Sequence, residues 1–523
     1  MQPASKLEFS SLDVLSTPVS SKQRKLDASS ATGPDLLPTR VLRALYAELC
    51  EPIHILCDMI LNSGRWPKSW RVHWIAPIYK KGPQTVPKNY RGVHLTSQLS
   101  KVVERILKKL VLPYFTADSF TGAHQYAYLP EKGARDVLAI LLCEWISALG
   151  LYRKIGVYCT DVSGAFDKVL SSRLVEKLRA ARLPESLTRL IMSWLEDRIA
   201  MVIVGGDHSM ESILRNMVYQ GTVLGPLLWA VFVADISRAS SGLGFTERTY
   251  ADDLTCCKTF PQATPNTDIM VEMQSCKAAV TKWGEANSVR FDEDKESMNV
   301  VSLQTPSGRE FRILGVTIDS RLTMETAVSE VVGACGWKVR SILQMKSYFP
   351  MGSRIAHFKA QIVSYIEYRT VALLHVHSEL TKRIDDIQRN FLNDLGLTSV
   401  TACLEHNLAP LNTRRDIAAL GILHRARLGL GPRRLREIFR TTGDGPEIVD
   451  DLAAGRYAHG PWNRTIPFMR SSLFGRVALY NELPTAVREL SSVKAFQKTL
   501  QDKAKSACKE GAPGWAAMYS PNV

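Results

Sequence analysis

Two short runs, residues 155–160 and 245–257, restrict what this chain can fold into, because the first delivers an aspartate at its end and the second turns on a pair of them. Ile155 through Thr160 is an apolar stretch too short for a helix, and it reads as a buried strand that carries Asp161 at its end. Residues 245–257 read as a β-hairpin, with Ala251-Asp252-Asp253 at the tip between Thr249-Tyr250 and Leu254-Thr255. Strands paired in one sheet can bring three such carboxylates to one edge. Neighbouring residues on a strand point to opposite faces, so Asp252 and Asp253 converge only because the chain turns there, and Asp252 is the better placed.

At 523 residues the chain exceeds what one core fills, so several packed units are expected. A hydrophobic fraction of 45% excludes a largely disordered or fibrous protein. The 66 Lys and Arg against 51 Asp and Glu leave a net charge of +15, which favours polyanionic partners, nucleic acid first. The longest apolar run, around residues 223–236, is too short to span a bilayer and contains Gly225 and Pro226, so no membrane partner is expected. Residues 1–25 lack an apolar secretory core, and the ten cysteines form no CxxC pair, which suits reduced thiols in an intracellular protein. Cys403, His406, His375 and His377 fit no common zinc-finger spacing and read as packed or surface residues.

A Ser/Thr-rich lead-in over 1–32 ends at Gly33-Pro34-Asp35, and one helix is expected over about 38–61. Residues 74–79 read as a strand closed by the basic turn Lys80-Lys81-Gly82-Pro83. Val102, Val103, Ile106, Leu107 and Leu110 mark one helix face, and Ile269, Met273, Cys276, Val280 and Trp283 another. Residues 311–318 read as a further strand. Beyond about Arg321 helical patterns dominate, as in Ile384, Ile387, Phe391 and Leu395 before Gly396.

Convergent aspartates suit polynucleotide synthesis. That reaction places a 3′-hydroxyl in line with an α-phosphate, and two divalent ions about 4 Å apart can activate the attacking oxygen and stabilise the departing pyrophosphate. Magnesium prefers a few carboxylates plus substrate oxygens. An Asp-Asp pair alone is ordinary turn chemistry. The company it keeps is not: Asp161-Val162-Ser163-Gly164-Ala165-Phe166-Asp167, then Gln220 to Leu228 (QGTVLGPLL), then Tyr250-Ala251-Asp252-Asp253 follow in that order.

These stretches resemble motifs A, B and C of reverse transcriptases, in the wording of non-LTR (LINE-type) retrotransposon enzymes. The likeness extends to Trp66-Pro67-Lys68-Ser69-Trp70, Asn89-Tyr90-Arg91, Lys295 and Leu314-Gly315-Val316, and more weakly to Tyr365-Ile366-Glu367-Tyr368 and Tyr480-Asn481-Glu482-Leu483-Pro484. It implies an α/β right-hand polymerase with fingers and an antiparallel-sheet palm over 33–320, the palm joining the Asp161 strand, the Asp252 hairpin and the Leu314 strand in one sheet. A helical thumb over 321–440 and a C-terminal region of unknown role over 441–523 would follow. Two magnesium ions, or manganese, would be held by Asp161, Asp252, the Val162 carbonyl and Asp253. Phe166 would exclude a 2′-hydroxyl, Gln220 and Gly221 would contact nucleotide and template, and Lys80, Lys81 and Arg91 would grip the triphosphate. Lys295 would protonate the leaving pyrophosphate. The implied partners are an RNA template, a DNA primer and deoxynucleoside triphosphates, and the implied location is nuclear.

The arginines at 414, 415, 425, 427, 433, 434 and 436 would suit a thumb tracking the template-primer backbone. Two departures weaken the template grip: Arg91-Gly92 where relatives often have Arg-Pro, and Tyr128-Leu129-Pro130-Glu131-Lys132-Gly133 where they often have a basic Gly-rich turn. Two other readings stay open, a group II intron-type or domesticated polymerase and a relic that binds nucleic acid without extending it.

Overall fold

The computed structural model describes residues 26–116, 124–441, 447–450 and 467–521; most of the expected lead-in, 1–25, lies outside them. Two compact units make up the chain, each from three segments: 1–129, 161–242 and 278–293 in the first, and 130–160, 243–277 and 294–523 in the second. The described strands are β1 (Val72–Tyr79), β2 (Tyr90–Leu95), β3 (Arg153–Asp161), β4 (Arg198–Val204), β5 (Asp207–His208), β6 (Ser212–Leu214), β7 (Thr246–Tyr250), β8 (Asp253–Pro261), β9 (Ser297–Val301), β10 (Phe311–Ile313), β11 (Val316–Ile318), β12 (Phe439–Thr441) and β13 (Ile448–Asp450).

In the first unit a mixed sheet runs β2-β1-β4-β5, with β6 also paired to β4. β1 and β2 are antiparallel, and the pair Tyr79↔Tyr90 closes the turn that carries Lys80 and Lys81. The helix Gln98–Thr116 buries Val102, Val103, Ile106 and Leu107 of the expected stripe, leaves Leu110 half-buried and adds Val111 and Phe115 to the core. The single helix expected over 38–61 is two, Thr39–Ala44 and Cys50–Ser63. Leu45 leaves the helical region at φ −97°, ψ 31°, and the second helix stops on left-handed Gly64.

The second unit holds a four-stranded sheet ordered β7-β8-β3-β9, into which β3 runs up to its last residue, Asp161. From Lys154 onward every residue of β3 is buried, which is why the strand reads as a continuous apolar run and not an alternation. The helix Asn266–Asn287 crosses it where the side chain is missing: a Cβ on Gly156 would lie 3.0 Å from Ile269 Cγ2, 3.1 Å from Phe260 and 3.3 Å from Met273 Sδ. The strand expected over 311–318 is corrected in two ways. It is a hairpin, β10 on β11, reversed at Leu314 (φ 48°) and Gly315 (φ 77°), and it forms a separate two-stranded sheet. The place beside β3 belongs to β9, in the register Ile155↔Val301 to Cys159↔Ser297.

Helices then take over as expected. Glu325–Gln344 packs on Ser378–Asp394, whose Ile384, Ile387 and Phe391 are buried, and Leu411–Arg427 packs on Val493–Lys509. The motif around Tyr480 is structural. Tyr480 hydrogen-bonds His424 Nδ1 at 2.9 Å, and the Asn481 amide pairs with both backbone groups of Ile448. Nearby Arg476 and Asp416 form an ion pair with side chains only 5% and 4% exposed.

Candidate active site

Asp161 ends β3, Asp253 begins β8, and β3 and β8 are hydrogen-bonded neighbours in the sheet. Cys159 Sγ lies 3.9 Å from Thr255 Oγ1, so the two strands touch two residues short of each carboxylate. Burial, with a smaller push from the negative charge of Asp253, raises the Cys159 thiol to about 12, so it stays protonated and inert. The hairpin turns on two residues, Ala251 and Asp252, between the paired Tyr250 and Asp253. Ala251 takes φ 58°, a left-handed conformation that costs a residue with a Cβ, so the tip stores strain where the acidic pair is presented. Asp161 is buried, Asp252 half-buried and Asp253 exposed. Lys295 is exposed and immediately precedes Glu296, which accepts from the Tyr158 hydroxyl at 2.6 Å and pairs with Lys277.

The first unit holds the remaining expected residues. Beyond Asp161 the chain bridges Val162 to Phe291, and Ser163 N–H donates to Arg290 O at 2.9 Å. Gly164 turns at φ 65° into the short helix Ala165–Lys168. Phe166 is half-buried, stacked on Trp229 at 6.1 Å between centroids and edge-on to Tyr128 at 6.3 Å. Its carbonyl accepts from Val218 N–H at 2.8 Å, which ties it to the loop of Gln220 and Gly221. Lys80, Lys81 and Arg91 are exposed on the β1–β2 turn and on β2. The charge of Lys80 reaches Asp167, where it opposes the rise that burial imposes on that carboxyl.

Gly221 has a reason to be glycine that its sequence position does not reveal. At φ 104° a Cβ there would sit 2.7 Å from His94 O, and His94 N–H donates to Gln220 O at 2.7 Å. The missing side chain lets the loop lie against β2. Beneath it is a buried polar network. Arg198 donates to Trp194 O at 2.7 Å and Trp70 O at 2.8 Å, and reaches His73 Nε2 at 2.7 Å, while His73 and His94 meet through their Nδ1 atoms at 3.0 Å. Because Arg198 can only donate, His73 accepts at Nε2 and donates from Nδ1.

The expected basic thumb face is largely neutralised within the second unit. Arg414 pairs with Glu367, Arg415 forks onto Asp385, Arg425 meets Asp136 at 2.8 Å, and Arg433 and Arg434 share Glu437, with Arg434 also on Glu144. These guanidiniums tie elements together. Arg425 also donates to Glu131 O, which fastens the loop that departs from the family wording. Tyr365-Ile366-Glu367-Tyr368 gains a role the same way: Tyr365 lies under Arg369 and Lys338, Ile366 is buried, and Tyr368 donates to Leu314 O at 2.8 Å. A cavity of about 560 Å³ in this unit is lined by Arg135, Asp136, Tyr250, Glu367, Tyr368 and Arg425 among others.

Sequence reasoning passed over Glu104, which is 1% exposed and accepts the N–H groups of Val223 and Leu224. The signal was present. Glu104 lies seven and eleven residues before the buried Val111 and Phe115, on one helical stripe, so its charge had to enter the core.

The donors at the β3 and β8 ends are carboxylates and a carbonyl, hard oxygen ligands of the kind magnesium or manganese takes. Among the described residues no three His, Cys, Asp or Glu side chains form a ready-made cation cluster. Among the described residues, too, no helix is long and apolar enough to cross a membrane.

Residues 78–318 match the family model of reverse transcriptase (RNA-dependent DNA polymerase). The chain therefore carries a reverse transcriptase domain, of the α/β right-hand polymerase class. It is 26% identical over 371 residues to the RNA-directed DNA polymerase from mobile element jockey of Drosophila melanogaster, covering 66% of this chain and 40% of that protein. It is 25% identical over 341 residues to the probable RNA-directed DNA polymerase from transposon BS of the same species, covering 61% and 37%. A solved apo telomerase from Candida tropicalis, truncated from its C-terminal domain, aligns at 10% identity and a TM-score of 0.37 over 55% of this chain and 62% of that one. Both relatives are named as polymerases of mobile elements, and the chain spans about 40% of the length of the curated relatives it matches.

Proposed function

We propose that this chain extends a DNA primer on an RNA template with deoxynucleoside triphosphates, by two-metal-ion nucleotidyl transfer. One observation carries the reading: β3 and β8 are neighbours in one sheet, with Asp161 closing the first strand, Asp253 opening the second and Asp252 in the turn just before it. Magnesium or manganese held by Asp161, Asp252, the Val162 carbonyl and Asp253 would supply charge neutralisation at the α-phosphate and lower the pKa of the 3′-hydroxyl.

The 3′-hydroxyl gives up its proton to solvent, its oxygen forms a bond to the α-phosphorus as the bond from that phosphorus to the bridging oxygen breaks, and pyrophosphate leaves. Lys295 donates a proton to the pyrophosphate. Lys80, Lys81 and Arg91, exposed on the β1–β2 hairpin, meet the triphosphate in water and orient it. The edge of Phe166 that Trp229 and Tyr128 leave open walls the sugar, and Gln220 and Gly221 contact nucleotide and template. A nuclear location, where a DNA primer is at hand, belongs to the same reading.

Primer extension on an RNA template with magnesium, comparing the chain with Asp252→Asn, tests this. Extension is expected from the first and a loss of at least about 100-fold in the variant, the scale of removing a group that stabilises transition-state charge. Equal template-primer binding with no extension from either protein would replace the polymerase by a binding relic.

A further inference from the structure

We infer that Glu104 is a positioning residue for the nucleotide-contacting loop: its buried carboxylate holds residues 219–224, and with them Gln220 and Gly221, in register with β2. The inference rests on the proposed role of Gln220 and Gly221. Glu104 Oε2 accepts Val223 N–H at 2.7 Å and Leu224 N–H at 3.1 Å. These donors lie at the start of the helix Gly225–Val233, where backbone N–H groups have no acceptor within the helix and where a negative charge meets the positive end of the helix dipole. Thr222 completes the cap: its hydroxyl accepts Gly225 N–H at 3.2 Å and donates to Tyr219 O at 2.6 Å.

The other flank of the loop is fastened as well. Tyr219 donates to Leu195 O at 2.7 Å, and His94 N–H donates to Gln220 O. Gln220 and Gly221 thus sit between two sets of pins. Gln220 is half-buried and Gly221 exposed, whereas Tyr219, Thr222 and Leu224 are buried.

A carboxylate survives in a core only when its charge is answered. Two amides and the charge of Arg198 answer this one, against the burial that raises its pKa. Arg198 is itself held by two carbonyls and by His73, so the anchor is rigid.

The test uses the full chain and reads nucleotide KM, kcat and template-primer affinity in primer extension, the unfolding temperature, and amide hydrogen exchange at Val223 and Leu224. Glu104→Ala should raise KM at least about tenfold, the scale of losing a hydrogen bond to a charged acceptor, with template-primer affinity unchanged and exchange at both amides accelerated. Glu104→Gln keeps an acceptor oxygen and should restore most of the KM. Glu104→Asp keeps the charge but withdraws it by one methylene, and it should raise KM in the same direction should the alanine variant not fold.

Wild-type KM and slow exchange in Glu104→Ala would overturn the inference, as would a lowered unfolding temperature with KM unmoved. If the unaltered chain extends no primer, the polymerase reading falls first, and the exchange rates at Val223 and Leu224 decide separately whether Glu104 holds the loop.

Discussion

Phe166 is held on three sides, by the Trp229 face, the Tyr128 edge and the backbone tie to Val218, so its ring cannot swing away from a sugar placed against it. Phe166→Val removes the ring and leaves the turn at Gly164 intact. Incorporation of ribonucleotides relative to deoxynucleotides should rise about tenfold or more, as expected when a steric exclusion is lifted. Unchanged sugar selection in single-nucleotide extension would remove Phe166 from the nucleotide site. Single residues were legible unevenly. The aspartates stood out by order and spacing, while Gly221 was legible as a special position but not for its approach to His94 O, which depends on a strand some 125 residues earlier. The arginines were only half legible, for a related reason. Sequence shows their charge, whereas Glu367, Asp385, Asp136 and Glu144, distant in the chain, determine where that charge is spent.

At the scale of elements, β3 and the β7–β8 hairpin fall where their apolar runs and the acidic turn put them, since both signals are local. β9 escaped because Ser297-Met298-Asn299 interrupts any clean alternation, and it is a strand through its pairing with β3. Residues 311–318 looked like one strand because Phe311, Ile313, Val316 and Ile318 are apolar residues that favour strands, and the reversal at Leu314-Gly315 takes up only two positions between them. Packing across β3 yields a sharper test. Gly156→Val would drive a branched side chain into Ile269, Phe260 and Met273, and overpacking of this kind costs about 1–3 kcal/mol. Urea unfolding should show the lower midpoint, and an unchanged midpoint would mean that the helix Asn266–Asn287 does not lie on β3 at that residue.

Across the whole molecule, buried histidines should make stability depend on pH in both units. Burial holds His94, His375 and His424 down to about 4 and His73 well below its usual value, with Arg198 pressing further on His73 and His94. His424 donates from Nε2 to Leu490 O and accepts the Tyr480 hydroxyl at Nδ1, an arrangement only the neutral ring can make. These folded-state values lie below the roughly 6.5 of an unfolded histidine, so between about 6.5 and 4 the unfolded chain takes up protons that the folded chain refuses. Stability is therefore present above that window and is lost as pH falls through it. Thermal unfolding at a series of pH values should show a falling midpoint below about 6.5, with a shallower fall in His424→Gln; a midpoint flat from 7 to 4.5 would contradict the neutral histidines. What the sequence determined alone was the local chemistry: a strand and a hairpin bearing aspartates, an ordered set of motifs, and helices beyond residue 321, because hydrophobic periodicity and turn residues act over a few positions. Only the tertiary structure decided that β9 and not residues 311–318 lies beside β3, that Arg414, Arg415, Arg425, Arg433 and Arg434 are paired, and that Glu104 anchors the Gln220 loop. Those outcomes depend on which distant groups meet in space, and no local pattern in the chain encodes that meeting.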